Sequence, residues 1–196
     1  MNKKKISIGL NLLIIVIEII GFVLCYRELG INSFIYYTLL SNLFLLVACI
    51  LYLFKSIIKS RIVDIIKFGS TLSVLITFLV VLFVLGPNKE LTYHFLLFEG
   101  ANFYYHLVCP VLGIITFLFF DDVRISGFRD VLGAFTFTVL YSIVIISLNI
   151  LKVIVGPYPF LRIYENPIYA TLIWIVVLEG GAILLGMGLE KLKNII

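Results

Sequence analysis

The chain has 196 residues, 62% of them hydrophobic and 13% charged, with 15 Lys and Arg against 11 Asp and Glu for a formal net charge of +4. Soluble domains are about 45–50% apolar and about 25% charged, so this composition excludes a water-soluble globular domain and points to an integral membrane protein. In such a chain a basic excess marks cytoplasmic loops, and nothing in it suggests nucleic-acid binding.

A bilayer core takes about 20 apolar residues per helix. Six runs meet or approach that length: 6–26, 34–54, 68–86, 103–120, 131–151 and 168–187. The first follows Lys3, Lys4 and Lys5 as in a signal peptide. It is longer than the apolar region of one, however, and lacks a small-residue cleavage site, so it reads as a retained span. The runs are apolar on all sides and lack the alternation of a membrane barrel. The expected fold is therefore all-α, a single bundle of six transmembrane helices over residues 1–196, placed as a multi-pass protein in the cell membrane.

The connections alternate in charge. Lys3, Lys4 and Lys5, then Lys55, Lys59, Arg61 and Lys67, then Arg124 and Arg129, then Lys191 and Lys193 fall on one side. Arg27, Lys89, Lys152 and Arg162 fall on the other. The positive-inside rule places both termini in the cytoplasm and loops 27–33, 87–102 and 152–167 outside. Within the second of these loops, residues 90–98 mix aromatic and polar side chains as a short interfacial helix does.

That topology sets the polar residues in depth. Thr38 lies about one turn inside the outer end of span two, and His106 about one turn inside the outer end of span four. Tyr158 lies in the loop joining spans five and six on the same side. At 1.5 Å rise per residue the three fall within roughly 10 Å of one level, which suggests one pocket open to the outer leaflet. Thr38, Ser41 and Asn42 share a helix face, as do Asn102 and His106.

Each of these residues has two readings. His106 is an interfacial histidine bonded to a carbonyl or headgroup, or a general base whose tautomer Asn102 fixes. Thr38, Ser41 and Asn42 are interhelical hydrogen bonders, or Thr38 is a nucleophile with Ser41 and Asn42 donating to an oxyanion. Glu18 and Glu179 lie deep in spans one and six with no Lys or Arg at matching depth. They are helix-locking contacts or a proton or cation path, and each should face the bundle interior.

Ser7, Asn11 and Asn149 read as packing polars. Cys25, Cys49 and Cys109 read as small buried hydrophobes. Gly180, Gly181, Gly186 and Gly188 would allow close helix approach in span six. Two histidines without clustered acids or thiols give no zinc set. No cofactor is implied.

Tyr37, Thr38, Ser41 and Asn42 at the head of span two, Asn102, His106 and Pro110 in span four, and Tyr158, Pro159, Phe160 and Leu161 between spans five and six carry a family likeness. The chain resembles the six-transmembrane proteins that include the androgen-induced protein and its androgen-dependent, tissue-factor-pathway-inhibitor-regulating relative, and is closest to their bacterial members. The likeness covers most of the chain. It implies a threonine- and histidine-dependent hydrolase of fatty acid esters of hydroxy fatty acids, with the threonine at Thr38 and the histidine at His106, and it supplies no third catalytic member. The expected partner is a membrane lipid or acyl ester. The alternatives are a non-enzymatic lipid-binding or proton-coupled transport protein using Glu18 and Glu179, and a structural membrane subunit, whose signs would be a partner that co-purifies and a pocket too small for an acyl chain.

Overall fold

The computed structural model describes residues 2–58, 60–87 and 91–196. Lys59, Lys89 and Glu90, which entered the reading of loop charge and of the interfacial helix, lie outside the described residues. Among the described residues the chain is helical without strands. Five helices are long and apolar enough to cross a membrane, and a sixth, shorter apolar helix of 17 residues accompanies them.

Helix α1 spans Lys3–Leu29. The Asn2 side chain accepts the Lys4 N–H at 3.0 Å, satisfying a free donor of the first turn. Gly30, at φ 58°, ends the helix in a conformation that other residues adopt only with strain. The buried face of α1 carries Ser7, Asn11, Ile14, Glu18, Gly21 and Cys25, spaced by three and four. Leu12, Val16 and Ile19 point away and are about half exposed. Polar groups inside and aliphatic groups outside is the reverse of a soluble helix and suits one bathed in lipid.

A short 3₁₀ segment, Gly30–Ile35, leads into α2, Tyr37–Leu53. This helix starts three residues after the expected span, which places Thr38 in its first turn rather than one turn inside. Helix α3, Arg61–Leu85, starts seven residues before its expected span. Ser60 caps it by accepting the Ile62 N–H at 3.2 Å, and Asp64 sits favourably in the first turn. The sequence reading assigned Lys67 to a loop. It is instead a helical residue, drawn inward because an acid waits for it across the bundle.

The short helix α4, Tyr93–Phe98, is capped by Thr92 and leads into α5, Gly100–Phe120. Two stretches of α5, Phe103–Val108 and Thr116–Phe120, widen to π-type turns. Pro110 lacks an N–H and crowds the carbonyl four residues back, that of His106, and the wide turn before it accommodates both defects. Asn102 and His106 are therefore not one regular α-turn apart.

Helix α6 covers Phe128–Ile150 and α7 covers Ile168–Ile195. Helix α3 is the hub. It packs against α2, α5 and α6, while α1 lies on α2 and α7 on α6. Of its apolar window 61% is buried, against 17% for α7. Close approach depends on Gly69, where a Cβ would stand 2.9 Å from the Ala134 carbonyl oxygen, and on Gly186, where it would stand 2.9 Å from Val131. Gly180, Gly181 and Gly188 have open space in front of them, so of the four expected glycines of span six only Gly186 admits a neighbouring helix. Both termini line the same cleft at one end of the bundle, and Thr38 stands at the other.

Candidate active site at the heads of α2 and α5

Thr38 is the second residue of α2, and His106 is carried by the first wide turn of α5. Thr38 Oγ1 lies 3.2 Å from His106 Nε2. His106 is 6% exposed, and its other ring nitrogen, Nδ1, is 2.7 Å from the Leu96 carbonyl oxygen at the end of α4. A carbonyl only accepts, so Nδ1 carries the proton. In the neutral ring Nε2 is then the acceptor, and the Thr38 hydroxyl donates to it.

Asn102 does not hold the imidazole. Its Nδ2 donates to the Phe95 carbonyl at 3.1 Å, which ties α4 to the head of α5 and so positions Leu96. The reason is the wide turn, which rotates His106 away from the face that Asn102 occupies. A carbonyl accepting from a ring N–H, supplied by a short helix in a loop, has no sequence signal.

Ser41 and Asn42 both turn back on Thr38. Ser41 Oγ donates to the Thr38 carbonyl at 3.1 Å and lies 2.9 Å from Thr77 Oγ1 on α3. Asn42 Nδ2 donates to the Thr38 carbonyl at 2.7 Å and to the Tyr105 carbonyl at 3.2 Å. Their donors are engaged by backbone, which anchors the first turn of α2 to α3 and α5 and leaves none of them directed at the Thr38 hydroxyl.

Tyr158 arrives from the loop between α6 and α7. Its Oη accepts the Thr38 N–H at 3.3 Å and lies 3.4 Å from Thr38 Oγ1. The ring is stacked on Phe160 and meets Tyr36 edge-on. Burial pushes the Tyr158 phenol above its ordinary value, so it keeps its proton. The N-cap residue Tyr36 makes no side-chain cap, and the Tyr158 hydroxyl takes the Thr38 N–H. Thr38 therefore sits where first-turn N–H groups and the positive end of the helix dipole favour a developing negative charge.

A cavity of about 70 Å³ adjoins Thr38 and Tyr158. Glu179 lies on its wall, accepting from Ser142 Oγ at 2.5 Å. The second oxygen of Glu179 has no partner among the described residues.

The end of the bundle that carries the termini holds a separate polar cluster. Lys67 is fully buried and donates to Asn11 Oδ1 at 2.8 Å and to Cys49 Sγ at 3.0 Å. Asp121 accepts from Ser7 at 2.6 Å and from Asn11 at 2.8 Å, and its other oxygen stands 3.5 Å from the Lys67 ammonium. Ser7 and Asn11, read as packing polars, are the side chains that solvate this ion pair. Glu18 faces the interior as expected and is fully buried, with both carboxyl oxygens unpartnered among the described residues. Lys67 is held at the level of Asn11, about two helical turns from Glu18 along α1.

No protein-family model matches the chain, and no curated protein or solved structure matches it either.

Proposed function

We propose that the protein is a membrane-embedded hydrolase of lipid esters, with Thr38 as nucleophile and His106 as general base. The observation that carries this is the 3.2 Å contact between Thr38 Oγ1 and an imidazole whose tautomer the Leu96 carbonyl fixes. Nε2 takes the Thr38 proton as Oγ1 attacks the ester carbonyl. The tetrahedral oxyanion is met by the Tyr158 hydroxyl and the head of α2. His106 returns the proton to the leaving alkoxide, giving an acyl-threonine. Water, deprotonated by the same nitrogen, then attacks the acyl carbon; the bond to Thr38 Oγ1 breaks, His106 returns the proton to that oxygen, and the acid leaves. The Leu96 carbonyl stands where a carboxylate stands in a catalytic triad. It orients the ring and offers less stabilisation to an imidazolium.

The 70 Å³ cavity is well below the roughly 300–1,000 Å³ of pockets that enclose a whole ligand. A pocket of this size is also one of the signs named above for a structural membrane subunit; the hydrolase reading requires that only the ester group and a few carbons enter while the remaining chains stay among lipids. The resemblance to the androgen-induced protein family suits the same assignment. Both termini line a cleft at one end of the bundle, which supports an even number of crossings. Counting α2 with the five longer helices gives six, and the distribution of Lys and Arg supports cytoplasmic termini and a site near the outer leaflet.

A second reading has one observation in its favour. The unpartnered, fully buried Glu18 suits a proton path in a lipid-binding or transport protein. The deciding experiment incubates purified protein with a fluorophosphonate probe and assays ester hydrolysis. Labelling confined to Thr38 and lost in both Thr38→Ala and His106→Ala is the expected result. Turnover retained in either variant rejects the hydrolase, and absent labelling together with proton flux in liposomes establishes the second reading.

A further inference from the structure

At the end of the bundle remote from Thr38, the two termini and the segments before α3 and α6 enclose a cleft of about 1140 Å³. Its cations fall into two groups. Lys55 is held by Asp64 at 2.6 Å. Arg61 contacts both oxygens of Asp130 at 2.9 and 2.8 Å. Lys193 donates to the carbonyls of Phe117, Leu118 and Asp121, closing the C-terminal end of α5. These three build the walls.

Lys3, Lys4 and Arg124 also line the cleft, and their side chains have no hydrogen-bond or acidic partner among the described residues. Two come from the head of α1 and one from the segment after α5, so they converge from separate elements. Of the acidic side chains on the lining, Asp64 is taken by Lys55, and Asp121 turns inward to Ser7, Asn11 and Lys67. Among the described residues of the lining, the Asp122 side chain and the carboxylate of Ile196 are left to oppose the three cations. Beside them the walls are apolar, formed by Ile8, Leu53, Phe120 and Val123. Positive charge without an internal partner, over apolar walls at the ends of the long apolar helices α1 and α5, is complementary to a phosphate carrying an alkyl stem.

We propose that this cleft is a binding site for the phosphate of an anionic lipid headgroup, with Lys3, Lys4 and Arg124 as its ligands. The site is independent of the ester chemistry at Thr38. Its volume accommodates a phosphoglycerol headgroup, and the occupant links the head of α1 to the segment between α5 and α6.

The test uses full-length protein in nanodiscs of phosphatidylcholine with a minor fraction of phosphatidylglycerol. Lipid retained after detergent extraction is measured by mass spectrometry, and melting is measured with and without phosphatidylglycerol. The wild type should retain phosphatidylglycerol over phosphatidylcholine and melt higher in its presence, because a ligand that binds only the folded state stabilises it. The variant K3Q/K4Q/R124Q should lose that selectivity by about tenfold or more. A second variant, K5Q/R129Q/K191Q, removes the same charge from residues at the same end that do not line the cleft, and should retain it. Equal loss in both variants would reduce the effect to diffuse surface potential and overturn the proposal. Displacement of the lipid by millimolar inorganic phosphate would keep the phosphate chemistry but overturn the headgroup as its source. Because both variants leave Thr38 and His106 untouched, ester hydrolysis should be unchanged in each.

Discussion

The His106 ring is held by Leu96: Nδ1 lies 2.7 Å from the Leu96 carbonyl oxygen, and this one hydrogen bond turns Nε2 toward Thr38 as an acceptor. The donor–acceptor direction of the pair thus depends on α4, a six-residue helix tied to α5 through Asn102 and Phe95. Asn102→Ala should loosen α4 and lower kcat by about tenfold, with KM changing less, since the ring is misoriented rather than removed. Kinetics with a short-chain ester read both constants.

Removal of the pair itself has a larger effect. His106→Ala and Thr38→Ala should each lower kcat by about 10²–10⁴-fold or more, whereas Thr38→Ser, which keeps a hydroxyl beside Nε2, should retain measurable turnover and probe labelling. An inactive, unlabelled but folded Thr38→Ser would show that the hydroxyl is not the reacting group.

Tyr158→Phe keeps the stacking on Phe160 and deletes only the hydroxyl. As the loss of one oxyanion donor it should lower kcat by about 10²–10³-fold. The cost in stability should be only about 1 kcal/mol, the usual worth of a hydrogen bond. A large drop in melting temperature with unchanged kcat would instead make Tyr158 a strut for the loop.

Lys67 and Asp121 are both fully withdrawn from solvent at the side chain. Lys67→Met leaves the Asp121 carboxylate buried without its counter-charge and should destabilise by about 3–5 kcal/mol. The double variant Lys67→Met with Asp121→Leu should recover much of that, since neither charge then remains. Melting in detergent distinguishes the two cases, and a double variant no better than the single would place the stability in hydrogen bonds from Ser7 and Asn11 rather than in charge pairing.

Gly69→Ala forces a methyl against the Ala134 carbonyl oxygen, where α3 and α6 cross, and should destabilise by about 1–3 kcal/mol. Gly180→Ala meets nothing within 4 Å and, with alanine the better helix former, should be neutral or stabilising by up to about 1 kcal/mol. Similar melting shifts for the two would remove the close crossing of α3 and α6 as a stability determinant.

Composition and run length determined that the chain is helical and made for lipid, because apolar runs of bilayer length are a local property that no distant contact is needed to create. The common depth of Thr38, His106 and Tyr158 followed from counting residues along helices. What only the tertiary structure decided was which partners each polar group takes. Lys67 breaks an apolar run and so read as a loop charge, yet Asp121, reached only when α5 folds back on α3, draws it into the core. Asn102 and His106 share a face in a regular helix, and the wide turn before Pro110 separates them and gives His106 to Leu96. Glycines are equivalent in a sequence pattern, and only the crossings of α6 with α3 and α7 single out Gly69 and Gly186. Hydrogen-bond partners of buried groups are fixed by which helices lie side by side, and that arrangement is set by the whole bundle rather than by any one segment of it.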